Sequence, residues 1–262
     1  MEVVDIHSHI HFEDFKDDLD GVLSRMRDNN VLTITVGTST KSSVSAVELA
    51  NKEDIVFASV GIHPTDSKEF FDDDVFLSLA SDARVVSIGE CGLDYFRIDN
   101  GKEEKERQRE LFIKHIKLAV NLRKPLMIHC RASSGTSDAD RDLLEILKNF
   151  KEEEGDKLFG NIHFFTQSIE IANEYINLGF TLSFPGVITF SKGVMDVAKE
   201  VDESMIHVET DSPYASPVPN RGIRNEPSFV LNTLSALALE KGVKVEDLAE
   251  KIRGNNRRIF GI

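Results

Sequence analysis

Short runs rich in Val, Ile and Leu alternate along this chain with stretches whose apolar residues recur every three or four positions. No other feature limits the fold so narrowly. Strand-like runs fall at 3–9, 32–36, 55–62, 85–88, 126–128, 158–164, 180–184 and 205–208. Helical periodicity fills the gaps. Phe15, Leu19, Val22, Leu23 and Met26 mark a helix reaching Asn29, and Thr40 or Ser42 caps one carrying Val44, Val47 and Leu49. Further helical patterns span 75–80, 102–122, 139–150, 169–178 and 192–200, with two more at 226–241 and 245–259. About eight βα units in about 250 residues is the arithmetic of a TIM (β/α)8 barrel, with a doubly wound sheet as the alternative. No repeat, low-complexity tract or linker interrupts residues 1–262, which read as a single domain. The acidic run 72–74 and the mixed run 102–110 read as solvated helix starts.

Barrels of this kind carry their chemistry at the C-terminal ends of the strands, and the ionisable residues gather there. The first run ends in His7 and His9, which strand alternation places on one face with Asp5. The third ends in His63, the fourth in Glu90, the fifth in His129, the sixth in His163 and the eighth in Asp211. Four imidazoles and two carboxylates suffice for two divalent cations if one carboxylate bridges them. Glu90, from the middle of the strand order, is the expected bridge, and Asp211 is the expected ligand and general base. A donor set of N and O without thiolate suits Zn²⁺, Mn²⁺ or Fe²⁺, and Mg²⁺ less well because it prefers oxygen ligands.

The other residues near the strand ends have plainer expectations. His11 is expected to face solvent from a loop, His115 to be structural within its helix, and His207 to be a hydrogen-bonded core histidine. Cys91 and Cys130 each follow a proposed ligand, so alternation turns them away as small packing residues. Tyr95, Phe96 and Tyr214 follow strands four and eight, where an aromatic face can stack on a base, with core or rim packing the equal alternative for each. Arg131, Arg221 and Arg224 lie beyond strands five and eight, placed to meet phosphate oxygens or to form surface ion pairs.

Charge narrows the function classes. The count of 31 basic against 45 acidic residues leaves a net −14, which excludes a uniformly basic nucleic-acid binder. A phosphate-bearing substrate needs a local positive site here, from bound cations or clustered Arg, and an end is easier to hold than a long duplex. Two cysteines are too few for a disulfide framework, so a reducing, cytoplasmic setting is expected. No run approaches the length of a membrane span, and none resembles a secretory leader. No membrane partner is expected.

Several of these segments resemble one family. Asp5-Ile6-His7-Ser8-His9, Gly61-Ile62-His63-Pro64, Gly89-Glu90-Cys91-Gly92-Leu93-Asp94-Tyr95 and Glu209-Thr210-Asp211-Ser212-Pro213-Tyr214 are similar to the signatures of the TatD family. These are metal-dependent deoxyribonucleases within the amidohydrolase barrel superfamily. Arg107-Gln108, 125–131, 183–186, 221–227 and Asn255 with 258–260 extend the match nearly end to end.

The resemblance implies a TIM barrel with a two-metal centre (Mg²⁺, Mn²⁺ or Zn²⁺) ligated by His7, His9, Glu90, His129, His163 and Asp211. It also implies that His63 contacts substrate phosphate. The implied activity is hydrolysis of DNA phosphodiesters, mainly 3′→5′ from single-stranded or 3′ ends, by a chain expected to be a monomer. Tyr95, Arg131 and Arg221 complete the expected substrate contacts. Two departures bear on specificity. Phe164 and Gln167 stand where the family usually has Cys and Gly, with Phe164 expected to add bulk away from the site. The inserted 132–137 lengthens a loop at the catalytic face. Hydrolysis of a small ester, amide, lactone or phosphoester is the second reading. A non-catalytic metal- or nucleic-acid-binding scaffold is the third.

Overall fold

The computed structural model describes residues 1–96, 98 and 101–262. Its strands are β1 (Val3–Ser8), β2 (Val31–Val36), β3 (Val56–Val60), β4 (Val85–Asp94), β5 (Leu126–Arg131), β6 (Gly160–Ile162), β7 (Thr181–Phe184) and β8 (Ile206–Val208). They pair in parallel and in chain order. The helices α1 (Leu19–Asp28), α2 (Thr40–Lys52), α3 (Asp73–Ala80), α4 (Gly101–Leu122), α5 (Asp138–Glu154), α6 (Ile169–Asn177) and α7 (Lys192–Glu200) each follow the strand of the same number. After β8 come α8 (Val230–Lys241) and α9 (Val245–Phe260). This is a TIM barrel, as expected, and the doubly wound alternative is excluded by the strand order.

Two apolar layers hold it together. The larger lies between sheet and helices, where Val56, Ala58, Val60, Ile128, Leu182, Phe184 and Ile206 meet Val22, Met26, Phe76, Phe112 and Leu143. The smaller fills the barrel floor, where Val4, Ile6, Ile34, Val36 and Met127 pack on Ile259 and Phe260 at the end of α9. Above that floor the interior turns polar. Burial on both faces explains why the strands read as continuous apolar runs.

Local details differ from the sequence reading in instructive ways. Ser39, not Thr40 or Ser42, caps α2, its side chain accepting from the Ser42 N–H. Asp72 caps α3 by accepting from the N–H groups of Asp74 and Val75, each at 3.1 Å. Strict alternation fails along β1. The β1–β2 register shifts between Asp5 and Ser8, so Ile6 packs on the floor while His7, its neighbour, also reaches the interior. Asp5 bonds Thr210, and its Oδ1 also accepts from the His7 N–H at 3.3 Å.

The last strand meets the first through few contacts: the isolated bridge Ser8–Ser212, the Asp5–Thr210 pair, and two backbone bonds. Asp211 N–H donates to His7 O and His9 N–H donates to Ser212 O, both at 2.8 Å. Among the described residues no helix is long and apolar enough to cross a membrane.

Candidate metal centre

At the C-terminal mouth, Glu90 stands between two groups of imidazoles. Its Oε1 lies 3.0 Å from His129 Nδ1 and 3.0 Å from His163 Nε2. Its Oε2 lies 3.6 Å from His7 Nε2 and 3.7 Å from His9 Nε2. Asp211 Oδ1 faces the second group, 3.8 Å from His7 Nε2 and 3.4 Å from His9 Nε2. All six residues expected as ligands are therefore brought together, with Glu90 in the bridging place.

Glycine makes that place accessible. Gly89 and Gly92 have φ of 149° and 138°, and a Cβ on either would run into a carbonyl oxygen of β5, that of Met127 or of His129. Only glycine lets β4 approach β5 so closely on both sides of Glu90.

The nitrogens crowd in a way that suits cations. His7 Nε2 and His9 Nε2 are 3.3 Å apart, as are His129 Nδ1 and His163 Nε2. The Val36 carbonyl accepts from His9 Nδ1 at 2.7 Å, so that ring carries its proton outward and turns a bare Nε2 inward. Lone pairs so close, beside carboxylates, need positive charge between them. The N/O donor set fits a divalent cation.

The titration shifts follow the same crowding. Burial, reinforced by His163, pushes His7 down to about 3. Burial opposes charge on His163 as well, but Glu90 and Glu209 outweigh it and hold that imidazole well above its ordinary value. Burial also opposes ionisation of Glu90, yet the facing imidazoles of His63 and His163 keep its carboxyl well below the usual range.

His63 lies at the edge, its Nε2 3.5 Å from Glu90 Oε1. Its Nδ1 accepts from the Thr65 N–H at 3.3 Å, so Nε2 bears the proton. Burial pushes it down to about 4, which makes it a neutral N–H donor at pH 7. A cleft of about 600 Å³ rises above the centre, walled by Phe12, Thr38, His63, Arg131, Phe164 and Tyr214 among others.

Other sequence expectations divide. Tyr95 is buried, its hydroxyl donating to Asp142 and its ring under Lys105; it packs against α4 and α5, outside the cleft. Arg221 stacks on Phe190 and donates to Ser216 O, away from the cleft walls. Arg224 pairs with Asp18, the surface alternative. Arg131 does line the cleft, stacked 3.8 Å from the Phe96 ring. His11 is not solvent-facing: its ring bridges Thr35 and Ser42 hydroxyls at 2.7 and 2.8 Å. Phe164 takes a left-handed φ of 51°, so its ring turns into the cleft and not away from it.

His115 and His207 are buried structural histidines, and Cys91 and Cys130 face outward from the barrel as expected. The inserted 132–137 is tied down by Ser133 and Thr136 to Asp138, and it does not wall the cleft. Sequence reasoning missed two acids. Asp94 Oδ2 lies 3.0 Å from His129 Nε2, and Glu209 Oε1 lies 3.5 Å from His163 Nδ1. Both stood within quoted motifs, so their positions were visible and their partners were not.

Imidazoles and a shared carboxylate at this barrel mouth define a class, the metal-dependent hydrolases, and the relatives carry that description. YcfH of Escherichia coli K12, an uncharacterized metal-dependent hydrolase, is 36% identical over 268 residues, covering 100% of this chain and 97% of its own. YabD of Bacillus subtilis 168, described in the same words, is 35% identical over 263 residues, 98% of each chain. The family described as TatD related DNase matches residues 4–261, and the chain belongs to it. The fold agrees with the crystal structure of YjjV, a TatD homologue from E. coli K12, at TM-score 0.86 and 24% identity over 99% of this chain and 98% of that one.

Proposed function

We propose that the protein hydrolyses DNA phosphodiester bonds at strand ends, 3′→5′, with two divalent cations (Mg²⁺, Mn²⁺ or Zn²⁺) shared across Glu90. His7, His9 and Asp211 hold one, and His129 and His163 hold the other. When bound, such cations supply a water of lowered pKa and neutralise phosphate oxygen. Asp211 accepts the proton of the attacking water, and the Nε2–H of His63 and the guanidinium of Arg131 orient the phosphate. Phe12 and Tyr214 offer faces on which a terminal base stacks.

One observation carries this reading: the cluster of candidate ligands is the floor of a cleft walled by Arg131 and aromatic rings, with Tyr214 54% exposed at its rim. A small-ester hydrolase would suit a closed apolar pocket better. The net charge of −14 matters less for an enzyme that grips only the last phosphates.

The small-substrate reading draws support from the arginines. With Arg221 and Arg224 engaged elsewhere, Arg131 is the one arginine walling the cleft among the described residues. Metal-stripped protein, given 3′- or 5′-labelled single-stranded DNA and Mg²⁺, Mn²⁺ or Zn²⁺ in turn, separates the two. Stepwise shortening from the 3′ end, lost in Glu90→Ala, is the expected result. No cleavage by fully loaded protein would transfer the assignment to small esters and amides.

A further inference from the structure

The two groups of imidazoles are supported differently from behind. His129 turns its outer nitrogen to a carboxylate, Asp94, at 3.0 Å. Asp94 is itself clamped: its N–H donates to Gln108 Oε1 at 2.8 Å, its carbonyl accepts from Gln108 Nε2 at 3.0 Å, and its Oδ1 accepts from the Phe96 N–H at 3.0 Å. His163 has a carboxylate behind it too. Glu209 Oε1 stands at ion-pair distance, 3.5 Å, from His163 Nδ1. Glu209 is fully buried and held by the Phe164 N–H at 2.7 Å and the Ser183 hydroxyl at 2.6 Å.

The other pair lacks this backing. His9 donates to a neutral carbonyl, Val36 O. His7 Nδ1 and His163 Nδ1 are both buried without a hydrogen-bond partner among the described residues, but His163 Nδ1 has the Glu209 carboxylate at ion-pair distance and His7 Nδ1 has no such ion pair among the described residues. A carboxylate behind an imidazole fixes the ring's orientation and tautomer and raises the electron density of the nitrogen that faces the metal. Such support changes metal affinity by about 10–100-fold.

We infer that Asp94 and Glu209 are positioning residues for the cation held by His129, His163 and Glu90, and that this position binds more tightly than the His7–His9–Asp211 position. The inference rests on the two-cation reading above. Its consequence is ordered loading: the first equivalent of metal enters between β5 and β6, and the second completes the centre beside β1.

Calorimetric titration of the metal-stripped full chain with Mn²⁺ or Zn²⁺ alone tests this, with bound metal counted after dialysis. Wild type is expected to bind in two steps, the first at least about tenfold tighter. Asp94→Asn and Glu209→Gln keep the shape and remove the charge; each is expected to weaken the first step about tenfold or more and to leave the second nearly unchanged. Asp211→Asn is expected to do the reverse. Circular dichroism identifies any variant that fails to fold, and Asp94 ends β4 whereas Glu209 lies just past β8, so each checks the other. Two steps of equal affinity, or variants that weaken both steps alike, would overturn the inference while leaving two cations in place. A single cation weakened by both substitutions would end the two-cation reading and keep the positioning role; a single cation indifferent to them would end both.

Discussion

The carboxylate of Asp5 accepts from Thr210 twice, from its N–H at 2.8 Å and from its hydroxyl at 2.6 Å. Both residues are fully buried, and the pair sits where β1 and the segment after β8 carry almost no ladder. Thr210 adjoins Asp211, so this pair fixes how the two ends of the sheet present His7, His9 and Asp211 to one another. Thr210→Val keeps the shape and leaves Asp5 Oδ2 unpaired. The expected cost is about 1–3 kcal/mol in urea unfolding, with a larger fractional loss of activity than a remote substitution of equal cost. Unchanged stability would show that the hydroxyl bond contributes nothing to closure.

Gly92 and Gly135 both have positive φ, 138° and 75°, but only Gly92 faces a carbonyl that a methyl would strike. Gly135→Ala is expected to cost about 1–2 kcal/mol, the penalty of a left-handed backbone alone. Gly92→Ala is expected to yield little folded protein, because β4 must part from β5 beside Glu90 and His129. Thermal unfolding of the pair separates conformational strain from collision; equal shifts in Tm would be inconsistent with the close approach.

His115 reports on acid stability. Its Nε2 accepts from the Ile62 N–H at 3.0 Å and its Nδ1 donates to Leu111 O at 2.8 Å. Burial pushes it down to about 4 from an ordinary value of 6.5. Between those values the unfolded chain binds the proton and the folded chain resists it, so stability rises with pH across that window. The contribution is complete above pH 6.5 and lost as pH falls towards 4, about 3 kcal/mol at most. In His115→Gln the pH dependence of the urea midpoint is expected to flatten by about one proton. Superimposable slopes for the two proteins would rule this out.

Two arginines provide a contrast. Arg131→Ala is expected to raise KM for a DNA end about 10–100-fold and to lessen the salt dependence of log KM by about 0.7. Arg224→Ala breaks a pair with Asp18, in which the Arg224 side chain is 32% exposed. It is expected to leave KM alone and to cost less than about 1 kcal/mol. Steady-state kinetics at several salt concentrations distinguish them, and a KM effect confined to Arg224 would reverse their roles.

Strand ends made much of this centre legible. His129 and His163 follow regular runs, and Cys130 turns outward as alternation requires; Glu90 does not follow one, because β4 shifts its register on β5 between Ile88 and Cys91. Legibility fails where the backbone departs from alternation. The register shift in β1 sends Asp5 to Thr210 while His7 stays inside. The left-handed φ at Phe164 swings a ring into the cleft. The fourth strand runs to Asp94 and not to Ile88, which carries Tyr95 out to the helices and brings Asp94 beneath His129. Hydrogen-bond partners such as Thr35 and Ser42 for His11 come from other elements, and no local pattern names them.

The barrel's seam also sets a timetable. Asp5 and Thr210 are 205 positions apart in the chain, whereas Glu90 and His163 are separated by 73. A growing chain emerging from the ribosome, N-terminus first, has the strands of Glu90, His129 and His163 in hand long before Asp211 is made. His7 and His9, among the earliest residues synthesised, must wait for one of the latest. A chain that stops short of residue 211 therefore carries half a centre, and the meeting of β1 with the segment after β8 marks the moment at which the enzyme becomes whole.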